Sequence, residues 1–206
     1  MKIIKLLTII LIPLLTQNCV PNGIMRTWST TEDYDKKFTK IMVMGLANDI
    51  SFRSDLESEV VLAARNFGIQ ANKSINTFPP ELGKPFEDIE KVKSRLRSSG
   101  FDGIVTVTLI DIKEERYIEP EMNYEPLVYY DRFRNYYYRT HALVYQPGYY
   151  SSNSKYFIET NFYELAGGKL VWSGRSQVLE GAEVDGYLTV YSKALFKELK
   201  LENVIE

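Results

Sequence analysis

The stretch from Asp102 to Asp111 (DGIVTVTLID) constrains this chain more than any other. It is β-branched and apolar between two acids, with apolar side chains on both faces. That is the pattern of a strand covered on both sides at the centre of a sheet. Two strand–helix units lead into it. Lys40 to Ala47 reads as a largely buried strand, followed by the polar loop Asn48 to Ser51. Ser54 with Glu57 three residues on forms a capping box, and Leu56, Val60, Ala63, Ala64 and Phe67 then recur at helical spacing. Gly68 closes that helix, and Ile69 to Ala71 makes a short strand. Thr77 to Pro80 and Gly83 to Pro85 mark a loop. The next helix is predicted from Phe86 to Ser99, with Ile89, Val92 and Leu96 on one face. Glu87 and Asp88 open it, Arg95 and Arg97 lie near its end, and Gly100 stops it. Right-handed crossovers make these three strands parallel.

Downstream, Tyr156 to Tyr163 and Lys169 to Gly174 read as two strands joined at Gly167-Gly168, a hairpin. Trp172 is its core anchor. A last helix covers Asp185 to Leu199, with Leu188, Tyr191, Leu195 and Leu199 on its apolar side. The expected fold is a single α/β domain over 39–206. Its mixed sheet runs β-α-β-α-β, then an antiparallel hairpin and a C-terminal helix.

The first residues carry an address. Two lysines precede the apolar run Leu6 to Leu15, then the polar Thr16-Gln17-Asn18 and Cys19. That order is a signal peptide over 1–18. The run reaches only about 15 Å as a helix, half the hydrocarbon thickness of a bilayer, and Pro13 interrupts it. The stretch Met1 to Cys19 resembles a bacterial lipoprotein signal, although Thr16 and Asn18 depart from the usual lipobox and Leu15 stands one place early. The resemblance implies lipid attachment at Cys19 and a mature chain beginning there. With Val20 next, it further implies the outer membrane, the domain lying in the periplasm or at the surface. Cys19 is the only cysteine, and a free thiol in an oxidising compartment would be a liability. Residues 19–38 read as a tether, in which Trp28 either docks on the domain or stays wet.

Totals exclude several classes. A net charge of -2 argues against nucleic acid as partner. A single cysteine and a single histidine, His141, exclude clustered His/Cys metal sites, and no cofactor is expected. Asp102 and Asp111 lie roughly 30 Å apart along a strand, too far for a glycosidase pair, which wants roughly 5–9.5 Å. Asp102 is read as a turn residue. Glu114, Glu115, Glu119 and Glu121 are read as a solvated acidic run. Gly167-Gly168-Lys169 lacks the spacing of a phosphate loop. His141 is expected on the surface, with no frame to hold it for catalysis.

The unusual item is tyrosine, 15 in all, concentrated in an insertion over about 114–155. Tyr129, Tyr130, Tyr136, Tyr137, Tyr138, Tyr145, Tyr149 and Tyr150 stand among Arg134 and Arg139. Tyrosine offers a large contact area at small entropic cost, and arginine stacks on rings or pairs with acids. These ten residues are the candidate partner surface, suited to an envelope protein or a glycan. The alternative is a mobile loop or irregular hairpin over a sheet edge. Pore-forming strands from Leu127 to Tyr145 would need an alternation that the paired tyrosines break.

The layout is also similar to a broad group of Gram-negative envelope lipoproteins and to the small α/β domains of the TolB amino-terminal region and related assembly lipoproteins. The resemblance rests on Ile41 to Ala47, Ser54 to Glu57 with Gly68, Phe101-Asp102-Gly103, and Leu170-Val171-Trp172. It implies binding or assembly and supplies no catalytic residues. The expected function is a lipid-anchored, non-catalytic envelope module. An envelope hydrolase with an unrecognised site and a secretion-pore subunit are the alternatives.

Overall fold

A computed structural model describes residues 24–30, 38–78, 85–111, 126–150, 155–176, 179–180 and 184–206. The expected signal peptide, Cys19, the prolines at 79–80 and the acids Glu114, Glu115, Glu119 and Glu121 lie outside these residues.

The strands are β1 (Ile24–Ser29), β2 (Lys40–Leu46), β3 (Gln70–Lys73), β4 (Gly103–Asp111), β5 (Lys155–Glu164), β6 (Leu170–Ser176) and β7 (Leu179–Glu180). They form one sheet in the order β1-β6-β5-β4-β2-β3, with β7 beside β5. As the sequence predicts, β2 pairs in parallel with both β3 and β4. β4 pairs antiparallel with β5, and β5 with β6. Every residue of β4 is buried, which fits its two-sided apolar pattern.

The helices are α1 (Ile50–Asn66), α2 (Ser74–Thr77), α3 (Ile89–Ser98), α4 (Phe133–Val144) and α5 (Val184–Leu201), with a 3₁₀ turn over Val128–Tyr130. Side chains alternate along each strand, so successive residues feed opposite faces. Ile41, Val43, Val105, Ile158, Phe162 and Trp172 pack with Leu56 and Val60 of α1 and Leu195 and Leu199 of α5. Met42, Met44, Ile104 and Tyr163 pack with Ile89 and Leu96 of α3 and Phe133, Tyr136 and Tyr137 of α4. The result is three layers, helices on both faces of a mixed sheet.

Several boundaries move for identifiable reasons. The N-cap of α1 is Asp49, whose Oδ1 accepts the Phe52 N–H at 2.7 Å, so Ser54 lies inside the helix. Asp88 caps α3 in the same way, accepting from Glu90 N and Lys91 N, and that helix starts three residues later than expected. Gly68 and Gly100 do stop their helices, at φ +81° and +79°, where a side chain would be strained. β3 begins one residue later than expected and runs to Lys73.

Two segments differ in kind. Ile24–Ser29, expected within the tether, is an edge strand antiparallel to β6. Trp28 therefore docks, packed partly buried against the α3–α4 side. Phe133–Val144, expected as loop or hairpin, is the helix α4. Phe133, Tyr136, Tyr137, Thr140, His141 and Val144 are all buried on it, spaced at helical intervals.

Candidate functional site

The carboxyl ends of parallel strands are where open α/β sheets usually receive ligands, in the crevice between strands whose connections diverge. Here that crevice lies between β2 and β4. β2 stops with Leu46 opposite Thr108, whereas β4 continues to Asp111. Two phenols cover the extra length of β4. The Asp111 N–H donates to Tyr149 Oη at 3.1 Å, and Tyr150 Oη donates to the Leu109 carbonyl at 3.2 Å. The two rings meet edge-to-face at 4.8 Å, and both pack with Leu143 and Val144 of α4. The chain's own tyrosines thus finish the backbone pairing that β2 leaves undone.

A second arrangement is centred on Glu159 of β5, which is buried under α4. Tyr130 Oη donates to its Oε2 at 2.7 Å, Tyr136 Oη to its Oε1 at 3.1 Å, and Arg175 Nε to Oε2 at 3.0 Å. Tyr136 Oη also meets Thr108 Oγ1 at 3.0 Å, and the Arg175 guanidinium lies 5.1 Å from the Phe157 ring centroid.

A third is centred on Glu57 of α1, which is 0% exposed. Its Oε1 accepts from Gly45 N at 2.9 Å, Arg53 Nε at 3.1 Å and Ser74 Oγ at 2.7 Å. Its Oε2 accepts from Ile75 N at 2.9 Å. Glu57 therefore ties β2, α1 and the first turn of α2 together and closes no capping box with Ser54. The fit at Gly45 is close: a Cβ there would sit 3.0 Å from Arg53 Cγ and 3.2 Å from Glu57 Cγ, so both side chains would have to shift.

Burial shifts the phenols. Tyr137 is pushed up to about 12 by loss of solvent. Tyr136 is raised well above the ordinary value by burial first and by the Glu159 charge second, and Tyr150 is raised by burial. A raised pKa means that the folded state holds the proton longer than the unfolded chain. Stability from these groups is complete below about pH 10 and falls as pH climbs toward the folded values. The expected result is a drop in urea midpoint between about pH 10 and 12. Replacing Tyr137 by Phe should flatten that drop.

The open surface lies elsewhere. A cleft of about 360 Å³ is walled by Trp28, Leu127, Val128 and Leu170 and carries Asp131, Arg132 and Lys169. Val128 is 91% exposed. Asp131 and Arg132 form a loose ion pair at 3.9 Å. On α4, Arg134 and Arg139 are exposed and Tyr138 is half-buried.

The ten candidate surface residues divide accordingly. Tyr130, Tyr136, Tyr137 and Tyr149 are buried, serving the core and its hydrogen bonds. Tyr138, Tyr145 and Tyr150 are half-buried, while Arg134 and Arg139 are exposed. The backbone of Tyr129 lies in the 3₁₀ turn. His141 is buried, contrary to the surface position expected, and stacks on Tyr145 at 4.2 Å between centroids. Asp102 ties the start of β2, accepting from Thr39 N at 2.7 Å and from Thr39 Oγ1 at 2.8 Å. Sequence reasoning missed the Glu57 and Glu159 arrangements and the cleft. The available signal was an acid flanked by Ile158 and Thr160 inside a strand, where a solvated carboxylate has no place. Among the described residues, no group of His, Cys, Asp or Glu could hold a metal ion, and no helix is long and apolar enough to cross a membrane.

No protein-family model matches the sequence, and no curated protein matches it. Among solved structures, the chain is similar to a PelC variant dodecamer from Paraburkholderia phytofirmans at 10% identity and a TM-score of 0.45, over 85% of this chain and 98% of that one. A second PelC dodecamer from the same organism is similar at 14% identity and TM-score 0.42, over 84% and 92% of the two chains. The lipoprotein GNA1162 from Neisseria meningitidis is similar at 10% identity and TM-score 0.39, over 79% and 96%. Likenesses of this size carry no functional argument.

Proposed function

We propose that this chain is a lipid-anchored protein of the bacterial cell envelope that acts by binding, without catalysis. The anchor is Cys19, the membrane the outer one, and the α/β domain stands in the periplasm or at the surface. One observation carries the non-catalytic part. The carboxylates of Glu57 and Glu159 are buried and have both oxygens engaged by internal partners, four hydrogen bonds to the first and three to the second. A general base needs a free lone pair within reach of a substrate proton. Tyr149 and Tyr150 cover the β4 backbone at the crevice where a substrate would enter. The open cleft beside Trp28 instead offers an aromatic and aliphatic wall with charges, the make-up of a recognition site for an envelope protein or a glycan.

Photo-crosslinking in intact cells from Val128 and from Tyr138, with products identified by mass spectrometry, tests the binding role. A discrete envelope partner captured from either position supports it. Only diffuse background from both, or substrate turnover by the purified protein, ends it. For the anchor, Cys19→Ser is expected to move the protein from the membrane to the soluble fraction. Unchanged membrane retention would refute lipidation.

A further inference from the structure

We propose that the tyrosine-capped end of the sheet rests against the lipid surface that holds the anchor, so that the Trp28 cleft is presented away from it. The proposal builds on lipidation of Cys19 and adds an orientation to it.

The first observation is length. The expected tether of residues 19–38 is cut short by β1, which begins at Ile24. From Cys19 to Ile24 is five residue steps, at most about 18 Å of extended chain. Wherever β1 starts must lie within that distance of the lipid. It starts opposite Ser176, whose Oγ accepts from Ile158 N at 2.6 Å, and Ile158 pairs with Leu109. Ile24 is therefore level with the end of β4 that Tyr149 and Tyr150 cap. Trp28 lies four residues further along the strand, about 13 Å toward the opposite end.

The second observation is polarity. The capped end shows the half-buried rings of Tyr145 and Tyr150. It also carries Ile50, which is 42% exposed at the start of α1, with Asp49 beside it as the helix cap. Tyrosine, with an apolar body and a polar tip, is the side chain favoured where hydrocarbon meets water. The opposite end is charged. There Lys40 Nζ bonds the Ser99 carbonyl at 2.7 Å and Arg97 Nη1 the Ala166 carbonyl at 2.9 Å. Glu164 and Lys169 flank the β5–β6 turn. Arg97 is exposed and Lys40, Glu164 and Lys169 are half-buried, so this end keeps its charges in reach of water.

The test uses the lipidated full chain in vesicles containing a nickel-chelating lipid. Lipidated Cys19 has no free thiol, so an introduced cysteine takes a spin label alone. Gln146→Cys places the label at the capped end and Ala166→Cys at the charged end, both at exposed positions that leave the core untouched. Headgroup nickel should speed relaxation of the Gln146→Cys label several-fold more than that of the Ala166→Cys label. Equal effects, or a larger effect at Ala166→Cys, overturn the orientation while leaving the anchor standing. That includes the case in which a second copy covers the cap. Intact mass separates the two claims, since an unmodified Cys19 overturns the anchor and the orientation together.

Discussion

Glu57→Ala is expected to lower folding stability by about 3–5 kcal/mol, the cost of breaking a buried, hydrogen-bonded charge pair. The substitution leaves the Arg53 guanidinium, 8% exposed, without its carboxylate. It also leaves the Gly45 and Ile75 amides without acceptors. Each such orphan adds a desolvation penalty of about 1–3 kcal/mol, though the amides can relax part of the way toward water. Glu57→Gln keeps one carbonyl oxygen in place and should cost less. Replacing Arg53 and Glu57 together by apolar residues should recover only the part due to the stranded charge, because the backbone donors remain unmet. Urea midpoints at constant slope measure all three. If Glu57→Ala unfolds within about 1 kcal/mol of the natural chain, the carboxylate is not the tie described here.

Trp172→Ala is expected to cost a similar amount, about 3–5 kcal/mol, by a different route. The indole is fully buried in the core between the sheet and helices α1 and α5. It also lies over Gly174, where any Cβ would collide with its ring. Truncation therefore opens a cavity bounded by strand backbone, which collapses poorly. Trp172→Phe should be much milder. The indole Nε1 finds no hydrogen-bond partner among the described residues, so losing it removes a buried donor along with some contact area. A phenylalanine variant as damaging as alanine would overturn this account of the ring.

The elements read most easily from the sequence are those whose apolar residues keep a clean period. β4, the apolar face of α1 and the Leu188-Tyr191-Leu195-Leu199 side of α5 are cases, because burial depends on spacing and little else. α4 escaped because its period is written in tyrosine. Counting Tyr136 and Tyr137 as recognition groups hid an interior helical stripe, since a phenol can be core when its hydroxyl reaches Glu159 or the Phe86 N–H. β1 escaped for another reason. Six residues of mixed character carry little periodic signal, and only the register with β6 makes them a strand. The role of Glu57 was illegible for the converse reason. A capping-box spacing at Ser54 and Glu57 is a local pattern, while the partners of Glu57 come from β2 and α2, distant in sequence and adjacent only after folding.

β1 also joins the two ends of the chain. Thr27 Oγ1 hydrogen-bonds Glu202 just beyond α5, and Thr30 N bonds the Val171 carbonyl past the end of the strand. A protein begun at residue 39 would therefore lose more than slack. It would bare the outer rim of β6, a row of amides and carbonyls ready to recruit a neighbouring molecule, and would unmoor the last turn of the terminal helix. A preparation that keeps the edge strand has to begin upstream of Ile24.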